Sequence, residues 1–418
     1  MKRPTNSILA NFAFLASIQG VNLLAPLVTL PYLARILGFE KLGILATAAA
    51  VCAWLAILID YGFNLTATRS VSAKREDLAE VSHIYSAVMT AKMALVAGSF
   101  LLLHTVILIF PSLQPNYFAY LFSFTFVVGQ ALLPTWIFQG MERMGSIAVI
   151  NALGKLIGAA LIITLVNKPQ DFASVPLINT IVSMGSALGA TWVLHSKLKI
   201  RFARPSREKV AQMLVEGRAV FVATGAGNIY NQGPILILNA FTDAASVGKY
   251  SIAQKLATAS VSLFQSLAQA YFPHFTRLWI TSNDQFANVL KRYVTFTQLI
   301  SGLVLGSLFV FAPLLYHLLT GAQDAQGISA VRYWLVIAQL IVFSVSLNPV
   351  LVAIGRDTSM ARMYIVCGSV FLLYSCFLTR ILLLQGMLIS MVIVELTIAV
   401  ASAAAVIRSV NEKEYSSP

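Results

Sequence analysis

Apolar runs of eighteen residues or more recur along this chain from residue 8 to residue 407. Each run is long enough for an α-helix to cross a hydrocarbon layer of about 30 Å. Only 11% of the 418 residues are charged, whereas a soluble globular domain carries about 25%. The sequence therefore predicts an all-α membrane protein with about twelve transmembrane helices. The predicted spans are 8–33, 43–66, 84–110, 116–138, 146–166, 172–195, 214–239, 246–272, 293–319, 328–354, 359–379 and 386–407.

The basic residues indicate how these spans are oriented. Of the 29 Lys and Arg residues, nineteen lie in or at the edge of loops and tails on the side of both termini, five lie in or at the edge of loops on the other side, and five lie deeper inside spans. Because loops rich in Lys and Arg stay in the cytoplasm, we expect a multi-pass inner-membrane protein with both termini cytoplasmic. This topology accounts for the net charge of +13, and no single basic face indicates a nucleic-acid partner.

The longest polar stretch, HSKLKIRFARPSREK, lies near the middle of the chain and separates six spans from six. It predicts an amino-terminal six-helix lobe at 1–195, a basic cytoplasmic linker at 196–212 and a carboxy-terminal six-helix lobe at 213–418. Two such lobes around a central cavity are a recurrent transporter architecture, with the solute path between them.

Charged side chains inside the spans are the strongest indication of function, because a charge at the bilayer centre costs at least about 2.5–3.5 kcal/mol. Lys92, Lys155 and Lys255 lie about 12–14 Å deep, at 1.5 Å of rise per residue. Two interpretations remain open. The lysines could pair with the intramembrane acids Asp60 and Glu395 and stabilise the bundle, or they could face a hydrated cationic cavity that binds an anionic group.

Prolines and amide side chains inside the first and seventh spans are a second indication. Proline removes a backbone hydrogen-bond donor, so the freed carbonyl needs a partner or water. A kinked helix with polar side chains suits a cavity wall, although a simple packing kink is the alternative. The candidate kink and cavity-lining residues are Asn22, Pro26, Pro31, Asn231 and Pro234.

Other classes of chemistry have little support in the sequence. The three cysteines show no metal-binding or disulfide spacing. There is no GxxxxGK[ST] phosphate loop, so we expect no ATP site and no cofactor. No predicted external loop combines His with carboxylates, which argues against a membrane enzyme.

Four strings occur in a characteristic order: PLVTLPYLARILGFEKLG at 26–43, DYGFNLTATR at 60–69, PTWIFQGMERM at 134–144 and VGKYSIAQKLA at 247–257. With them, essentially the whole chain resembles the Wzx-type flippases for O-antigen and related polysaccharide repeat units. These flippases form the polysaccharide transport branch of the multidrug/oligosaccharidyl-lipid/polysaccharide exporter superfamily.

The resemblance implies that the substrate is undecaprenyl diphosphate carrying a short oligosaccharide, which crosses from the cytoplasmic to the periplasmic face by alternating access. It implies a cationic cavity, which fits Lys92, Lys155, Lys255 and Arg35. The two middle strings would form an inner gate, or would simply dock helices; their candidate pairing groups are Asp60, Arg69, Gln139 and Glu142.

Two further expectations follow from the resemblance. A polysaccharide polymerase and a chain-length regulator are candidate partners, and membrane lipid surrounds the protein. The alternative function is cation-coupled export of drugs or small molecules within the same superfamily. That alternative predicts a site dominated by intramembrane carboxylates, whereas this sequence has more bases than acids inside its spans.

Overall fold

A computed structural model describes the backbone of residues 5–281 and 283–416, and the side chains of residues 28–225, 227–281 and 285–412. Within these residues the chain forms α-helices and two short 3-10 helices, and no β-strand. Asn22 and Pro26 lie outside the described side chains, so their proposed roles stay predictions.

The helices follow one another with short connections. The amino-terminal half contains α1 (Thr5–Asp60), α2 (Phe63–Ala73), α3 (Leu78–Ile109), α4 (Tyr117–Leu132), α5 (Thr135–Gly140), α6 (Met144–Leu165) and α7 (Ser174–Ser196), with 3-10 helices at Pro111–Asn116 and Pro169–Ala173. The carboxy-terminal half contains α8 (Arg207–Phe241), α9 (Ala244–Thr281), α10 (Asn283–Val310), α11 (Ala312–Thr320), α12 (Ala325–Ala353) and α13 (Asp357–Ser416).

The two longest helices are each interrupted by one residue with a positive φ. The interruption in α1 is at Gly38 (φ 70°, ψ 174°), and that in α13 is at Leu383 (φ 53°, ψ −131°). Both fall between predicted spans. If the segments on either side of each interruption are counted separately, the described chain contains twelve helical segments of at least 16 residues.

These helices confirm the predicted all-α membrane fold. Eight helical stretches of the described chain are long and apolar enough to cross a membrane. Two of them, Val28–Ala73 and Asp357–Glu412, contain an interruption and have 46 and 56 residues. Since one crossing takes about 20 residues, each of these two can cross twice. Helices α8 and α9 occupy the places of the seventh and eighth predicted spans and carry more polar residues.

The prolines do not mark the interruption in the first helix. Pro31 lies within helical backbone, and the break follows at Gly38, where the left-handed φ favours glycine. Pro234 likewise lies inside α8 and is buried. Neither Pro31 nor Pro234 therefore coincides with a break in helical φ and ψ.

The helices group into two compact units, Met1–Asn228 and Ile229–Pro418. In the first unit, α1 and α7 each contact both α4 and α6. Small residues allow these helices to approach closely: Gly129 of α4 lies against Ser183 of α7, and Gly154 of α6 lies against Ser186 of α7. Small residues at contacts are typical of membrane helices, whose association depends on close van der Waals packing.

One end of the first unit contains a large hydrophobic cluster that joins α2, α3, α5, α6 and α7. We call it the α2-end core. It includes buried residues from each of these helices and from the segment that follows α7: Phe63, Ile84, Trp136, Ile147, Leu194 and Ile200. Short helices that could not span a membrane are therefore fixed by packing.

The basic segment predicted as a linker is anchored to this unit. The backbone N–H groups of Arg201 and Ala203 donate to the hydroxyls of Ser82 and Ser86, at 3.2 and 2.8 Å. Lys209 Nζ lies 2.7 Å from Glu80 Oε1. The boundary between the compact units falls later, within α8, and a lobe boundary at 196–212 stays a prediction.

In the second unit α12 is the central helix and contacts α9, α10 and α13. The ring of Tyr250 meets that of Trp334 edge-on, with centroids 5.4 Å apart. A second group of buried side chains joins α9, α10 and α12, and it includes Phe275, Phe286, Tyr293 and Val350.

We predict that Gly129→Ala destabilises the first unit. A Cβ at this position would lie 2.9 Å from Ser183 Cβ and 3.1 Å from Met184 N, so helices α4 and α7 would have to separate. Overpacking of this kind costs about 1–3 kcal/mol. The control is Gly98→Ala in α3, where an added Cβ meets nothing within 4 Å. Thermal unfolding of the purified variants in detergent gives the melting temperature of each. Equal melting temperatures for the two variants would contradict the predicted close contact.

Candidate functional site

A buried ion pair joins α1 to α3 in the first unit. Lys92 is 2% exposed, and its Nζ lies 3.0 Å from Asp60 Oδ1 at the end of α1. The Asp60 side chain is 31% exposed. This is the pairing that the sequence left open as an alternative to substrate binding. A direct contact between Lys92 and a substrate stays a prediction.

Lys155 and Lys255 are placed differently. Both side chains are exposed, on α6 and α9 respectively, and neither forms an ion pair with any carboxylate in the described part of the chain. Lys155 is flanked by exposed Leu156 and Ile157. Arg35 is exposed near the break in α1 and makes further contacts of its own. Two of the three deep lysines are therefore exposed without a carboxylate partner among the described residues, and their binding of a solute stays a prediction.

Lys255 begins a polar stripe along α9 that sequence reasoning missed. Lys255, Thr258, Ser262, Gln265 and Gln269 follow one another at alternating spacings of three and four residues, which places them on one helix face. Ser262 is half-buried and the others are exposed. The spacing was visible in the sequence, but only the packing of α9 on α12 shows that this face is left uncovered.

The two sequence strings predicted to form an inner gate, at 60–69 and 134–144, are in contact in the structure. Helix α2 docks on α5, where Thr68 Oγ1 donates to the carbonyl of Trp136 at 3.2 Å and Ser72 Oγ to that of Gly140 at 3.2 Å. A Cβ on Gly140 would lie 2.7 Å from Val71 Cγ1. The sequence strings are thus brought into contact by helix docking, the alternative that was left open for them.

The four gate candidates do not pair with one another through the contacts of this structure. Asp60 pairs with Lys92, and Glu142 pairs with Arg75, with Oε1 2.7 Å from Nη1. Arg69 and Gln139 are exposed on α2 and α5. A gating role for these four residues stays a prediction, and Arg75 is a partner that the sequence did not indicate.

The turn between α1 and α2 is tightly packed. Tyr61 and Gly62 both have positive φ, 47° and 82°. The Tyr61 ring stacks on Phe221 of α8, with centroids 4.8 Å apart. A Cβ on Gly217 would lie 2.5 Å from the Tyr61 carbonyl oxygen, so glycine is needed at this contact. The packed turn therefore holds the Asp60 carboxylate within ion-pair distance of the Lys92 ammonium.

Glu395 lies in the second unit, on the second segment of α13. It is 4% exposed, and it accepts a hydrogen bond from the Tyr230 hydroxyl of α8. No Lys, Arg or His among the described side chains lies within 4.0 Å of its carboxylate. Asn231, beside Tyr230, is exposed and makes contacts of its own. The predicted pairing of Glu395 with a lysine is not formed.

An additional ion pair in the second unit joins the start of α9 to the residue that precedes α12. Lys249 Nζ is 2.8 Å from Asp324 Oδ2, and Asp324 also accepts from Gly327 N at the start of α12. Burial acts to raise the pKa of Asp324, but the hydrogen bonds from Lys249 and Gly327 outweigh it and lower the pKa. The lowered pKa adds stability above the unfolded value of about 3.9, and this contribution is lost as the pH falls through the folded value.

We predict an asymmetric response to breaking the Lys92–Asp60 pair. Asp60→Leu leaves a buried, unpaired ammonium and should lower the free energy of unfolding by about 3–5 kcal/mol. Lys92→Met should cost less, because water can reach the partly exposed Asp60. The double variant should recover most of the loss. Denaturant titration in mixed micelles measures all three.

The control for this cycle is Glu40→Ala, which removes the exposed Glu40–Lys41 pair. Exposed pairs contribute about 0–1 kcal/mol, so its effect should be small. A double variant no more stable than Asp60→Leu alone would contradict the importance of the buried ammonium.

The fold and these groups together define a multi-pass, all-α membrane protein with charged side chains inside its helices. Residues 8–279 match the family of polysaccharide biosynthesis proteins, and the chain belongs to this family. The resemblance predicted from the sequence is thereby confirmed.

Two relatives match most of the chain. It is 29% identical, over 71% of each chain, to a proposed O-antigen transporter of Escherichia coli strain K12. It is 25% identical to a proposed O-antigen transporter of Shigella dysenteriae, over 93% of this chain and 97% of that relative.

Solved structures share the fold. An inward-facing multidrug resistance MATE family transporter of the MOP superfamily is 15% identical, with a TM-score of 0.64 over 95% of this chain and 100% of that chain. The lipid II flippase MurJ in an inward closed conformation is 13% identical, with a TM-score of 0.64 over 96% and 89%. At these identities the similarity shows a common architecture.

Proposed function

We propose that the protein flips undecaprenyl-diphosphate-linked repeat units of O-antigen, or of a similar polysaccharide, from the cytoplasmic to the periplasmic face of the bacterial inner membrane. The observation that carries the proposal is the uncovered polar stripe of α9 with Lys255 at one end. The family match and the relatives described as O-antigen transporters support the choice of substrate.

The stripe supports a water-filled path. A lysine and two glutamines turned toward lipid would be costly, since polar groups in hydrocarbon lose their hydrogen bonds to water. Their exposed face is therefore suited to water and solute. Amide and hydroxyl groups form hydrogen bonds with sugar hydroxyls, and an ammonium group binds phosphate as a point charge.

Such a path removes the main barrier to flipping. The lipid tail can remain in the bilayer, but desolvating an ion costs several kcal/mol, and the sugar hydroxyls add to this. In this proposal the head group moves past Lys155 and Lys255 while the two lobes alternate their access. Moving two negative charges outward gains about 4.6 kcal/mol at 100 mV, because each charge gains about 2.3.

The drug-exporter alternative has less support from the described residues. Asp60 forms an ion pair with Lys92. Lys155 and Lys255, which lie inside spans, have no carboxylate partner among the described residues. An excess of unpaired bases favours an anionic solute over a cationic one.

A polymerase and a chain-length regulator on the periplasmic side are the partners that would use the delivered repeat units. Both termini of the protein are cytoplasmic in this scheme.

The proposal predicts that the gene restores surface polysaccharide in cells that lack their own flippase. The lipid-linked repeat units should then decrease on the cytoplasmic face and polymer should reappear. Labelling of lipid-linked sugars by membrane face measures both. A well-expressed protein that restores no polymer with any of several repeat units, but exports cationic drugs, would contradict the proposal.

We expect charge to matter more than shape at Lys155 and Lys255. Lys155→Ala and Lys255→Ala should reduce polymer by tenfold or more at unchanged protein level, since the phosphate loses a cation; a tenfold change corresponds to about 1.4 kcal/mol. The arginine variants should retain more activity. Lys168→Ala, in an exposed connection, is the control. Equal losses in the alanine and arginine variants would indicate a packing role instead.

A further inference from the structure

We propose that Glu395 and Tyr230 form a proton-binding site in the second unit, and that its protonation couples transport to the proton gradient. The inference rests on the proposed function for its coupling step, whereas proton binding itself can be tested without any substrate. The site lies between α8 and the second segment of α13.

Three acids fall inside the predicted spans, and they differ in what surrounds their carboxylates. Asp60 is paired with Lys92. Glu216 is partly exposed and accepts from Gln212 Nε2 at 2.8 Å. Glu395 is buried without a cation among the described residues. An ionised carboxylate in such surroundings is stable only with a paired cation or with water. Glu395 is the acid whose position favours a bound proton.

The Tyr230 hydroxyl can donate a hydrogen bond to Glu395 in both the protonated and the ionised form of the carboxyl group. When Glu395 is protonated, its carbonyl oxygen accepts from the Tyr230 hydroxyl. When the proton has left, the same hydroxyl donates to the carboxylate oxygen and lowers the cost of its charge. The Tyr230 ring is held edge-on against Phe371, with centroids 6.1 Å apart, so the donor is fixed by packing.

Among the described side chains, none of the cations on neighbouring helices forms an ion pair with Glu395. From the first segment of α13, Tyr374 donates to the carbonyl of Ser390 at 3.1 Å, and Tyr364 is bonded to Asn348 of α12. The cations of the neighbouring elements have other placements: Lys249 pairs with Asp324, Arg332 lies over the Phe309 ring, and Arg356 pairs with Glu412. The remaining arginines inside α8 and in the membrane-spanning part of α13 are exposed: Arg218, Arg362, Arg380 and Arg408. Lys255 of α9 is exposed on the polar stripe.

The coupling step is a simple proton exchange. Glu395–COOH releases one proton to water on one side of the membrane and becomes Glu395–COO⁻, and it takes up one proton from the other side before the next cycle. Export of an anion with import of a proton moves net negative charge outward, so the membrane potential and the proton gradient both favour it.

The first test is infrared difference spectroscopy of the whole protein in lipid, titrated with acid and base. The wild type should show a protonated-carboxyl C=O band at neutral pH. Glu395→Gln should remove this band, and Tyr230→Phe should shift it by loss of the hydrogen bond. Glu76→Gln, an exposed acid, should leave it unchanged. A spectrum of Glu395→Gln identical to the wild type would overturn the proton site.

The second test measures flipping of lipid-linked oligosaccharide in proteoliposomes with an imposed pH gradient. The wild type should be accelerated by the gradient, whereas Glu395→Gln should flip at a rate that no longer responds to it. A full response in Glu395→Gln would overturn the coupling. A wild type that binds the proton but flips no substrate would refute the proposed function, while the infrared result still decides the proton site.

Discussion

The cost of removing a charge from water is the constraint on which the rest of this structure depends. A chain built almost entirely of apolar helices can keep a charged group inside them only by pairing it, by exposing it to water or by neutralising it. The described residues show the first two solutions, and the third is the one proposed for Glu395. Lys92 is paired with Asp60, Lys155 and Lys255 are exposed, and Glu395 accepts a hydrogen bond from the Tyr230 hydroxyl. The function proposed for each group follows from this placement.

Two kinds of packing hold the first unit together. Close contacts at Gly129 and Gly154 allow the long helices α4, α6 and α7 to approach one another, as is typical of membrane helices, whose association depends on packing. The shorter helices α2 and α5 and the basic segment after α7 are held in the α2-end core. Tyr61 and Gly62 connect the two regions and fix Asp60 opposite Lys92. Any movement of α2 would therefore act directly on the buried ion pair.

Much of this architecture could be predicted, because hydrophobic length is a local property. The spans and the family resemblance follow from short windows of sequence, and both helix breaks lie in gaps between predicted spans, whereas the prolines named as kink residues did not locate the breaks at Gly38 and Leu383. Pairing does not, since Lys92 and Asp60 are 32 residues apart and only the turn at Tyr61 sets their depth. The docking of the basic segment on α3 and the Tyr230–Glu395 bond also depend on long-range packing. The polar stripe of α9 was only partly predictable. The spacing of its residues can be read from the sequence, but its exposure depends on how α9 packs on α12.

The central claim is that the exposed lysines act on an anionic lipid-linked sugar during its crossing. The most direct measurement is the flipping of a fluorescent undecaprenyl-diphosphate oligosaccharide by purified protein in vesicles, with the membrane potential set by potassium and valinomycin. We predict flipping that is faster when the potential drives negative charge in the transport direction, and that is strongly reduced in Lys255→Ala. Flipping that is indifferent both to the potential and to the lysine would contradict the account.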